Sequence, residues 1–435
     1  MTPSARIAAA IELLSMVEAA SRKPADAVAN AFFRDRRFIG SGDRRAVSER
    51  VWGVMRTRRR LAWLLEHEGV TVTPRLLVAA SLMLEGWALD GVKQAFSGGQ
   101  FAPTPLGGAE SAALRRVEGH TFDHPDMPEA VRLEVPDWVL PHLRARFGDA
   151  LPAEMAAMGT EAPLDLRVNL LKGTRDEAIR ALALEGIAAV PTVLSPWGLR
   201  VEGRRPVTSG AAFQSGLVEI QDEGSQLVAL MVGAAPGMRV ADWCAGAGGK
   251  TLALAMGMEN RGQVVACDVH DKRLEGAVQR LRRAGVHNVE RHLIVPGDKW
   301  AKRRAESFDR VLVDAPCTGT GTWRRNPDAR LRLVPRDLEE LVPKQAAILE
   351  AASRLVRTGG RLVYATCSVL LDENEAQVQG FLEAHSDFRV VPLAEAWAGQ
   401  GGNVGDAPGA GPYLSLTPRR HGTDGFFTAV LERAT

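Results

Sequence analysis

The sequence predicts an α/β protein in which a mostly parallel β-sheet follows an all-helical bundle and a small α+β module. Apolar residues recur at helical spacing over the first 120 residues, a mixed pattern runs to near Ser215, and strands alternate strictly with helices beyond Gln221. The 435 residues also exceed what one compact core accommodates. We therefore expect three domains, at 1–148, 149–218 and 219–435.

The first part of the chain has the periodicity of amphipathic helices. This spacing predicts helices at 5–20, 24–38, 43–67, 74–88 and 108–117. Between Arg34 and Arg60 arginines far outnumber acidic residues, although the net charge of the chain is only +2. Such a run is usually a solvated helical face, but a phosphate-binding surface has the same composition. Composition alone leaves both interpretations open.

Composition and cysteine usage are those of a cytoplasmic protein. The chain is 46% hydrophobic and 24% charged, its amino-terminal segment does not resemble a signal peptide, and no apolar run reaches membrane-spanning length. The cysteines form no CxxC pair and fall at or near the ends of predicted strands, so we expect reduced thiols: Cys244, Cys267, Cys317 and Cys367. No histidine stands at ligand spacing from them, and we expect neither a metal site nor a membrane.

Two blocks of alternating pattern follow the helical part. The first, the small module, predicts a strand at 164–171, a helix at 174–185, a strand at 189–194 and a short strand near Leu199 and Val201. The second predicts parallel strands at 238–243, 263–268, 289–295, 308–314 and 360–366. Its helices are expected at 249–258, 271–284, 336–356 and 373–384, and a closing antiparallel hairpin at 413–417 and 425–431.

A glycine-rich turn follows the first strand of the large sheet, in DWCAGAGGKT (Asp242–Thr251). Glycines let the backbone turn tightly and approach a ligand, and the next helix directs its amide groups at that ligand. The turn matches neither the GxxxxGK[ST] phosphate loop nor the full dinucleotide pattern, and by itself it is equally a plain tight turn. The second strand ends on Asp268, where a ribose presents hydroxyls, and Gly297 and Asp298 follow the third. The set suits an adenosine group, and S-adenosylmethionine fits it better than NAD.

Two further strand ends carry thiols. Cys317 follows the fourth strand in VLVDAPCTGTGTWRRNPD, and Cys367 follows the fifth in VYATCS. An isolated cysteine is often a small buried hydrophobic residue, but two at adjacent strand ends indicate chemistry. A thiolate that adds to carbon 6 of cytosine makes carbon 5 nucleophilic towards a methyl donor. A protonated carboxyl such as Asp314 near ring nitrogen 3 would stabilise the developing charge, and a base must then remove the carbon-5 proton.

These motifs carry a family resemblance. CAGAGGKT, DAPCTGTGTWRRNPD and YATCSVLLDENE resemble the RNA cytosine-5 methyltransferases of the Fmu/Sun/RsmB type. The helical first part resembles their NusB-like RNA-binding bundle, DLRVN around Arg167 and Asn169 resembles their RNA-recognition-like lead-in, and DGFFTAVL resembles their closing strand. The resemblance implies a Rossmann-like S-adenosylmethionine methyltransferase sheet of seven strands.

The resemblance also implies residue roles. Cys367 would be the nucleophile and Cys317 would assist release of the product, with Asp314 and Lys250 completing the catalytic set. The implied contacts to the cofactor or the base are Cys244, Ala245, Gly246, Ala247, Gly248, Gly249, Lys250, Asp268, Asp298 and Asp314. The family's usual CAAPGGKT is CAGAGGKT here, which loses a proline that stiffens the turn, and Leu371 replaces a common proline after TCSV. Both departures bear on affinity and leave the reactive groups in place.

We therefore predict an S-adenosylmethionine-dependent RNA methyltransferase that forms 5-methylcytosine, with ribosomal RNA as the expected substrate and a monomer as the expected state. The arginine-rich bundle together with Arg324 and Arg325 would hold phosphates. The same chemistry on transfer RNA is one alternative, and a non-catalytic RNA-binding ribosome assembly factor is another. A Rossmann-type dehydrogenase would leave the paired thiols unexplained.

Overall fold

The computed structural model describes residues 1–20, 23–203, 205–400 and 405–434, and the chain divides into two compact units. The helical unit comprises Met1–Thr160 and Trp323–Pro335, and the second unit comprises Glu161–Thr322 and Arg336–Thr435. Both β-sheets lie in the second unit.

The helices of the described residues are, in chain order, α1 (Pro3–Ala19), α2 (Ala25–Asp35), α3 (Ser41–Arg56), α4 (Arg58–His67), α5 (Pro74–Leu84), α6 (Leu89–Ala95), α7 (Gly108–Val117), α8 (Glu129–Arg132), α9 (Leu140–Phe147), α10 (Leu151–Met158), α11 (Arg175–Leu184), α12 (Ala211–Gln214), α13 (Glu223–Met231), α14 (Gly249–Gly257), α15 (Asp271–Ala284), α16 (Trp300–Arg303), α17 (Pro327–Arg332), α18 (Pro335–Ser353), α19 (Glu375–Ala384), α20 (Leu393–Ala398) and α21 (Pro418–His421). The strands are β1 (Leu164–Val168), β2 (Ala189–Pro191), β3 (Gly198–Val201), β4 (Val218–Ile220), β5 (Arg239–Asp242), β6 (Gln263–Asp268), β7 (Val289–Leu293), β8 (Phe308–Asp314), β9 (Val356–Thr366), β10 (Phe388–Val391), β11 (Leu414–Leu416) and β12 (Phe426–Arg433). Among these helices, none has both the length and the apolar character needed to cross a bilayer.

Helices α1 to α7 bury one apolar core, as their periodicity predicts, with Leu13, Phe32 and Leu77 at its centre. The single helix predicted at 43–67 is wrong, because α3 ends before Thr57 and α4 starts after it. The break is stabilised by the buried Glu134, whose carboxylate accepts hydrogen bonds from the Arg59 and Arg60 amides at 3.0 Å each. These amides open α4 and would otherwise have no partner, and an anion is favoured at a helix amino terminus.

The helical unit also contains a segment from much later in the chain, residues 323–335. Its helix α17 places Asp328 where a carboxylate oxygen accepts the Ala25 amide at 3.0 Å, at the start of α2. Arg330, only 1% exposed, donates to the backbone carbonyls of Glu134 and Arg56. The stretch that closes the DAPC motif is therefore part of the core of the helical unit.

The small sheet has the order β2-β3-β1-β4 and is antiparallel at β1. Its apolar face packs against α11 and α12 around Leu166, Leu182 and Leu199. Strand β4 pairs with β1, so the small module continues to Ile220 and does not end near Ser215 as predicted.

The large sheet of the described residues has the order β10-β12-β9-β8-β5-β6-β7, with β11 paired only to β12. Strands β5 to β9 are parallel, as predicted, whereas β12 runs antiparallel between β9 and β10 and also pairs with β11. The edge strand β10 was not predicted. Valines and leucines of β5, β6, β8 and β9 are fully buried on both faces, so the carboxyl ends of these strands are where polar groups can emerge.

Candidate active site

The carboxyl ends of β5, β6, β8 and β9 surround a cavity of about 520 Å³. Ten of the predicted site residues line it, from the glycine turn, the acidic strand ends and the two thiols: Cys244, Ala245, Gly246, Ala247, Gly249, Lys250, Asp268, Asp314, Cys317 and Cys367. Gly248 and Asp298 do not line it. The parallel topology thus brings together residues that are as far apart as Cys244 and Cys367 in the sequence.

The glycine turn leads from β5 into α14. Gly246 and Gly248 have φ values of +55° and +81°, which side-chain-bearing residues rarely adopt. A Cβ on Gly248 would also lie 3.1 Å from the Cβ of Ala277 on α15. Gly248 therefore lets α14 and α15 pack closely, and the other turn residues form the cavity wall.

The two acidic residues predicted after β6 and β7 have different surroundings. Asp268 is buried at the end of β6, where its carboxylate accepts the amides of Gly246 and His270 at 2.8 Å each. Asp298 instead accepts the Trp300 amide at 2.8 Å and pairs with His292 at 2.5 Å. The hydrogen bond to the Trp300 amide lowers the pKa of Asp298. Asp268 links the glycine turn to the second strand, whereas Asp298 caps the loop beyond β7.

Lys250 and Asp314 form an ion pair inside the cavity. Lys250 Nζ lies 2.7 Å from Asp314 Oδ2, and their side chains are 11% and 28% exposed. Burial alone would lower the pKa of Lys250, but the adjacent Asp314 carboxylate outweighs it and the pKa is raised. Lys250 is therefore held as a cation in the first turn of α14.

The two thiols at the ends of β8 and β9 are in direct contact. The sulfur atoms of Cys317 and Cys367 are 3.4 Å apart, and both residues are half-buried. The hydrogen bond to Cys367 and burial raise the pKa of Cys317 well above its usual range. Burial likewise raises the pKa of Cys244 and of Cys267, which lies in the core of the sheet. Cys317 is thus held as a neutral thiol beside the sulfur of Cys367.

A buried carboxylate that sequence reasoning missed supports the thiol loops. Glu373, fully buried, accepts the Thr318 amide at 2.8 Å and Gln345 Nε2 at 3.0 Å. Gln345 Nε2 also donates to the Pro316 carbonyl at 2.9 Å, and the hydroxyl of Tyr364 donates to the Glu373 carbonyl at 2.6 Å. Glu373 therefore fixes the loop after β8. The DENE sequence signalled a polar element, but its partners are distant in the chain.

The backbone of Cys367 is held by a contact between two glycines. Gly321 donates its amide to the Cys367 carbonyl at 2.9 Å, and Gly425 donates to the Gly321 carbonyl at 2.8 Å. A Cβ on Gly321 would lie 2.3 Å from the Gly425 carbonyl oxygen. Only glycine fits at position 321 without movement of this loop.

Asp242, at the end of β5, is a second residue that sequence reasoning did not assign to the site. It lines the cavity, and one carboxylate oxygen accepts from the Thr251 hydroxyl at 2.7 Å. The other oxygen is buried and has no hydrogen-bond partner among the described residues. Burial raises the pKa of Asp242 to about 7, although the bond from Thr251 opposes the shift. Buried polar atoms normally have partners, so an unpartnered oxygen on a residue that lines a cavity indicates a position for a ligand donor.

Most arginines of the basic run are engaged within the helical unit. Arg36, Arg50 and Arg58 pair with acidic residues of α1 and the end of α5, while Arg59 and Arg60 bind the segment around Glu134. Arg34, whose side chain is 73% exposed and lies 3.7 Å from the Asp35 carboxylate, lines a surface cleft with Arg37 and Arg44. Arg324 is buried, which corrects the prediction that it faces phosphates.

One cluster of the described residues has potential metal-ligand atoms within 4.8 Å of one another: His67, His124 and Asp126. It lies in the helical unit, and His67 stacks on Trp63 with ring centroids 4.7 Å apart. His124 Nδ1 accepts the Asp126 amide at 3.2 Å. The cluster includes none of the residues predicted for the site.

Known proteins resemble this chain over most of its length. The family described as 16S rRNA methyltransferase RsmB/F matches residues 229–432, and an RsmF/B-like ferredoxin-like domain matches residues 135–208. A probable ribosomal RNA small subunit methyltransferase B from Synechocystis is 33% identical, covering 90% of this chain and 92% of the relative. The ribosomal RNA small subunit methyltransferase B of Xanthomonas campestris is 35% identical, covering 75% and 72%.

Solved structures share the architecture. The crystal structure of PH0851 superimposes with a TM-score of 0.79 at 27% identity, covering 100% of this chain and 99% of that one. A methyltransferase homolog from Pyrococcus horikoshii gives a TM-score of 0.60 at 27% identity, covering 72% of this chain and 100% of its own.

Proposed function

Since the chain belongs to the RsmB/F family of 16S rRNA methyltransferases, we propose that it methylates carbon 5 of a cytosine in ribosomal RNA through a covalent bond to Cys367. The observation that carries the proposal is the thiol pair, 3.4 Å apart, in the cavity that also holds Lys250 and Asp314. A nucleophilic thiol needs a neighbouring cation or proton acceptor, and both are present here.

The cavity fits S-adenosylmethionine, the cofactor of this family. The unpartnered oxygen of Asp242 would accept a hydrogen bond from the ammonium of the donor's amino acid part. Asp268, at the end of the second parallel strand, lines the same cavity and would accept hydrogen bonds from the ribose hydroxyls. The bound cofactor would supply the electrophilic methyl group, and the protein would supply the nucleophilic thiol and the charged groups around it.

Cys367 is the better nucleophile of the two facing thiols. Cys317 has its pKa raised, so it remains protonated and can donate to a Cys367 thiolate. Lys250 lines the same cavity as Cys367, and its ammonium is a cation available to a thiolate there. A fixed cation and a thiol donor both favour negative charge on the Cys367 sulfur.

The Cys367 thiolate forms a bond to carbon 6, and the electron pair of the 5,6 double bond shifts into the ring. Carbon 5 would bond to the methyl group, whose bond to the cofactor's sulfonium sulfur would break with its electron pair left on that sulfur, and the carbon-5 proton would then pass to a base. The carbon 6–sulfur bond breaks as the double bond is restored, which regenerates the Cys367 thiolate. Cys317, whose sulfur is 3.4 Å from that of Cys367, would assist this last step by donating its S–H to the departing sulfur.

Lys250 and Asp314 would stabilise the charge that enters the ring. Asp314 is ion-paired in the structure, so its carboxyl needs a proton before it can donate to ring nitrogen 3. The Lys250 ammonium, 2.7 Å from Asp314, would keep its charge and favour the ring anion where it develops.

Ribosomal RNA is proposed as the substrate because the curated relatives are named for it. The target base must leave its stack to reach a thiol in a cavity. The cleft of Arg34, Arg37 and Arg44 offers exposed positive charge for RNA phosphates. The likeness of the helical unit to NusB remains a prediction.

Bisulfite sequencing of RNA from cells with and without the gene tests the proposal. We expect one 5-methylcytosine of small-subunit ribosomal RNA to disappear when the gene is deleted. A change confined to transfer RNA would move the substrate to the alternative class. No change in either RNA, together with no binding of S-adenosylmethionine in calorimetry, would instead support an assembly factor.

A further inference from the structure

The glycine turn is held from outside by two arginines. Arg167 on β1 of the small sheet donates to the Gly249 carbonyl at 2.8 Å and also to the side chain of Gln221. Arg280 on α15 donates to the Ala247 carbonyl at 2.8 Å. Two carbonyls of one short turn therefore accept hydrogen bonds from guanidinium groups on two different elements.

Glu219 on β4 connects the small sheet to this arrangement. Its carboxylate lies 3.5 Å from Arg280 and 2.5 Å from Arg283, and its side chain is 11% exposed. Glu219 does not line the cavity, so it reaches the turn only through Arg280. The hydrogen bond from Arg280 to Ala247 is thus oriented by a residue of the small sheet.

The small sheet is also attached to the end of α15, which carries Arg280. Asn169 Nδ2 donates to the Ala284 carbonyl at 2.8 Å and to the Gly216 carbonyl at 2.9 Å. Arg167 and Asn169 are both buried, at 3% and 7% exposure. The DLRVN motif therefore lies against the turn and α15 and is not an RNA-facing surface.

The turn has a specific need for outside support. Two of its glycines, Gly246 and Gly248, adopt positive φ values, and glycine loses more backbone freedom on ordering than other residues. Ala247 stands where CAAPGGKT has a proline, which would restrict the backbone of the turn by itself. Without that ring, the turn must be ordered by its contacts.

We propose that Arg167, Arg280 and Glu219 are positioning residues for cofactor binding, and that this guanidinium clamp replaces the stiffening proline missing at Ala247. The small sheet is then a structural part of the S-adenosylmethionine site. The inference rests on the proposed function only as far as cofactor binding, and it does not depend on which RNA base is modified.

Calorimetry of S-adenosylmethionine binding tests the clamp with the full chain. Glu219→Gln and Arg280→Met should each raise the Kd roughly tenfold, the loss of one hydrogen bond to a charged donor. Arg282→Met is the matched control, because Arg282 is an exposed arginine on the same helix, and its Kd should stay unchanged. Glu219→Gln is the decisive variant, since Arg280 lines the cavity and could also touch the cofactor.

Rescue by proline separates positioning from general structural damage. Ala247→Pro should restore most of the affinity lost in Glu219→Gln. The affinity for RNA should stay within about twofold in every variant, since the clamp acts on the cofactor turn. Unchanged cofactor binding in Glu219→Gln and Arg280→Met, or losses that Ala247→Pro does not reverse, would overturn the inference. Tight cofactor binding by a chain that methylates no cytosine would refute the proposed function alone.

Discussion

The sulfur of Cys317 lies 3.4 Å from the sulfur of Cys367, although 50 residues separate the two in the sequence. The contact exists because β8 and β9 are parallel neighbours whose carboxyl ends stop at the same level. One thiol can therefore donate a hydrogen bond to the other, as the successive roles proposed for them require.

Replacement of Cys367 by alanine should abolish methyl transfer and leave the fold intact. The substitution removes the only atom that is proposed to bond to carbon 6, and Cys367 is half-buried at a cavity wall, so little packing is lost. Incorporation of tritiated methyl groups into RNA measures the effect. Cys267→Ala removes a thiol from the core and should keep its activity. Methyl transfer by Cys367→Ala would refute the assignment of the nucleophile.

Replacement of Cys317 by alanine should trap the covalent complex. The first bond to carbon 6 still forms, but the step that releases Cys367 loses the group beside it. A slow-migrating protein–RNA band on a denaturing gel reports the complex. The double variant Cys317→Ala, Cys367→Ala is the control and should show no band. A Cys317→Ala protein that turns over normally would remove the release role.

As the pH rises from about 4 to about 7, the free energy of unfolding should decrease because of Asp242. Burial raises the pKa of this carboxyl from 3.8 to about 7, so the folded state binds its proton more tightly than the unfolded state does. The contribution is complete below the unfolded pKa and is lost as the pH rises through the folded one, by on the order of 4 kcal/mol. Urea unfolding of the protein and of Asp242→Asn across this range measures it. Parallel pH profiles for the two proteins would contradict the prediction.

Gly321→Ala should lower activity and stability together. The new Cβ would lie 2.3 Å from the Gly425 carbonyl oxygen and 2.8 Å from that of Cys367, so the loop that carries the nucleophile must move. Overpacking of this kind costs about 1–3 kcal/mol. Gly380→Ala is the matched control, since a Cβ there meets nothing within 4 Å and α19 should gain about 1 kcal/mol. Thermal unfolding and the methyl-transfer rate of both variants test this.

Periodicity predicted the parts of the fold that follow from local pattern. Strands β6 and β8 begin and end at the predicted residues, as does α15, because each has a clear apolar period and a polar or glycine boundary. The interruption at Thr57 was missed, because its cause is a carboxylate 77 residues away, Glu134. Strand β10 was missed because it is a short edge strand.

In the candidate site, too, the residues that follow from local motifs were predicted and those that depend on distant partners were not. The motifs located the residues at the strand ends, since parallel strands bring such residues to one edge. Asp242 and Glu373 were not assigned to the site, and Arg167 was named only for a family resemblance, because their contacts depend on burial and on partners distant in the sequence. The segment from Arg34 to Arg60 was interpreted from its charge alone. Only the structure shows that most of its arginines are neutralised within the helical unit.

The membership of residues 323–335 in the helical unit has a consequence for biosynthesis. Asp328 binds the start of α2, and Arg330 fills a buried position next to Glu134, so these contacts are missing until this segment has left the ribosome. Domains at the amino terminus usually fold during synthesis. Here the packing of the first 160 residues stays incomplete until at least 175 more residues have been translated. A nascent chain stalled before residue 323 should therefore be far more sensitive to protease in its helical part than one stalled well beyond residue 335.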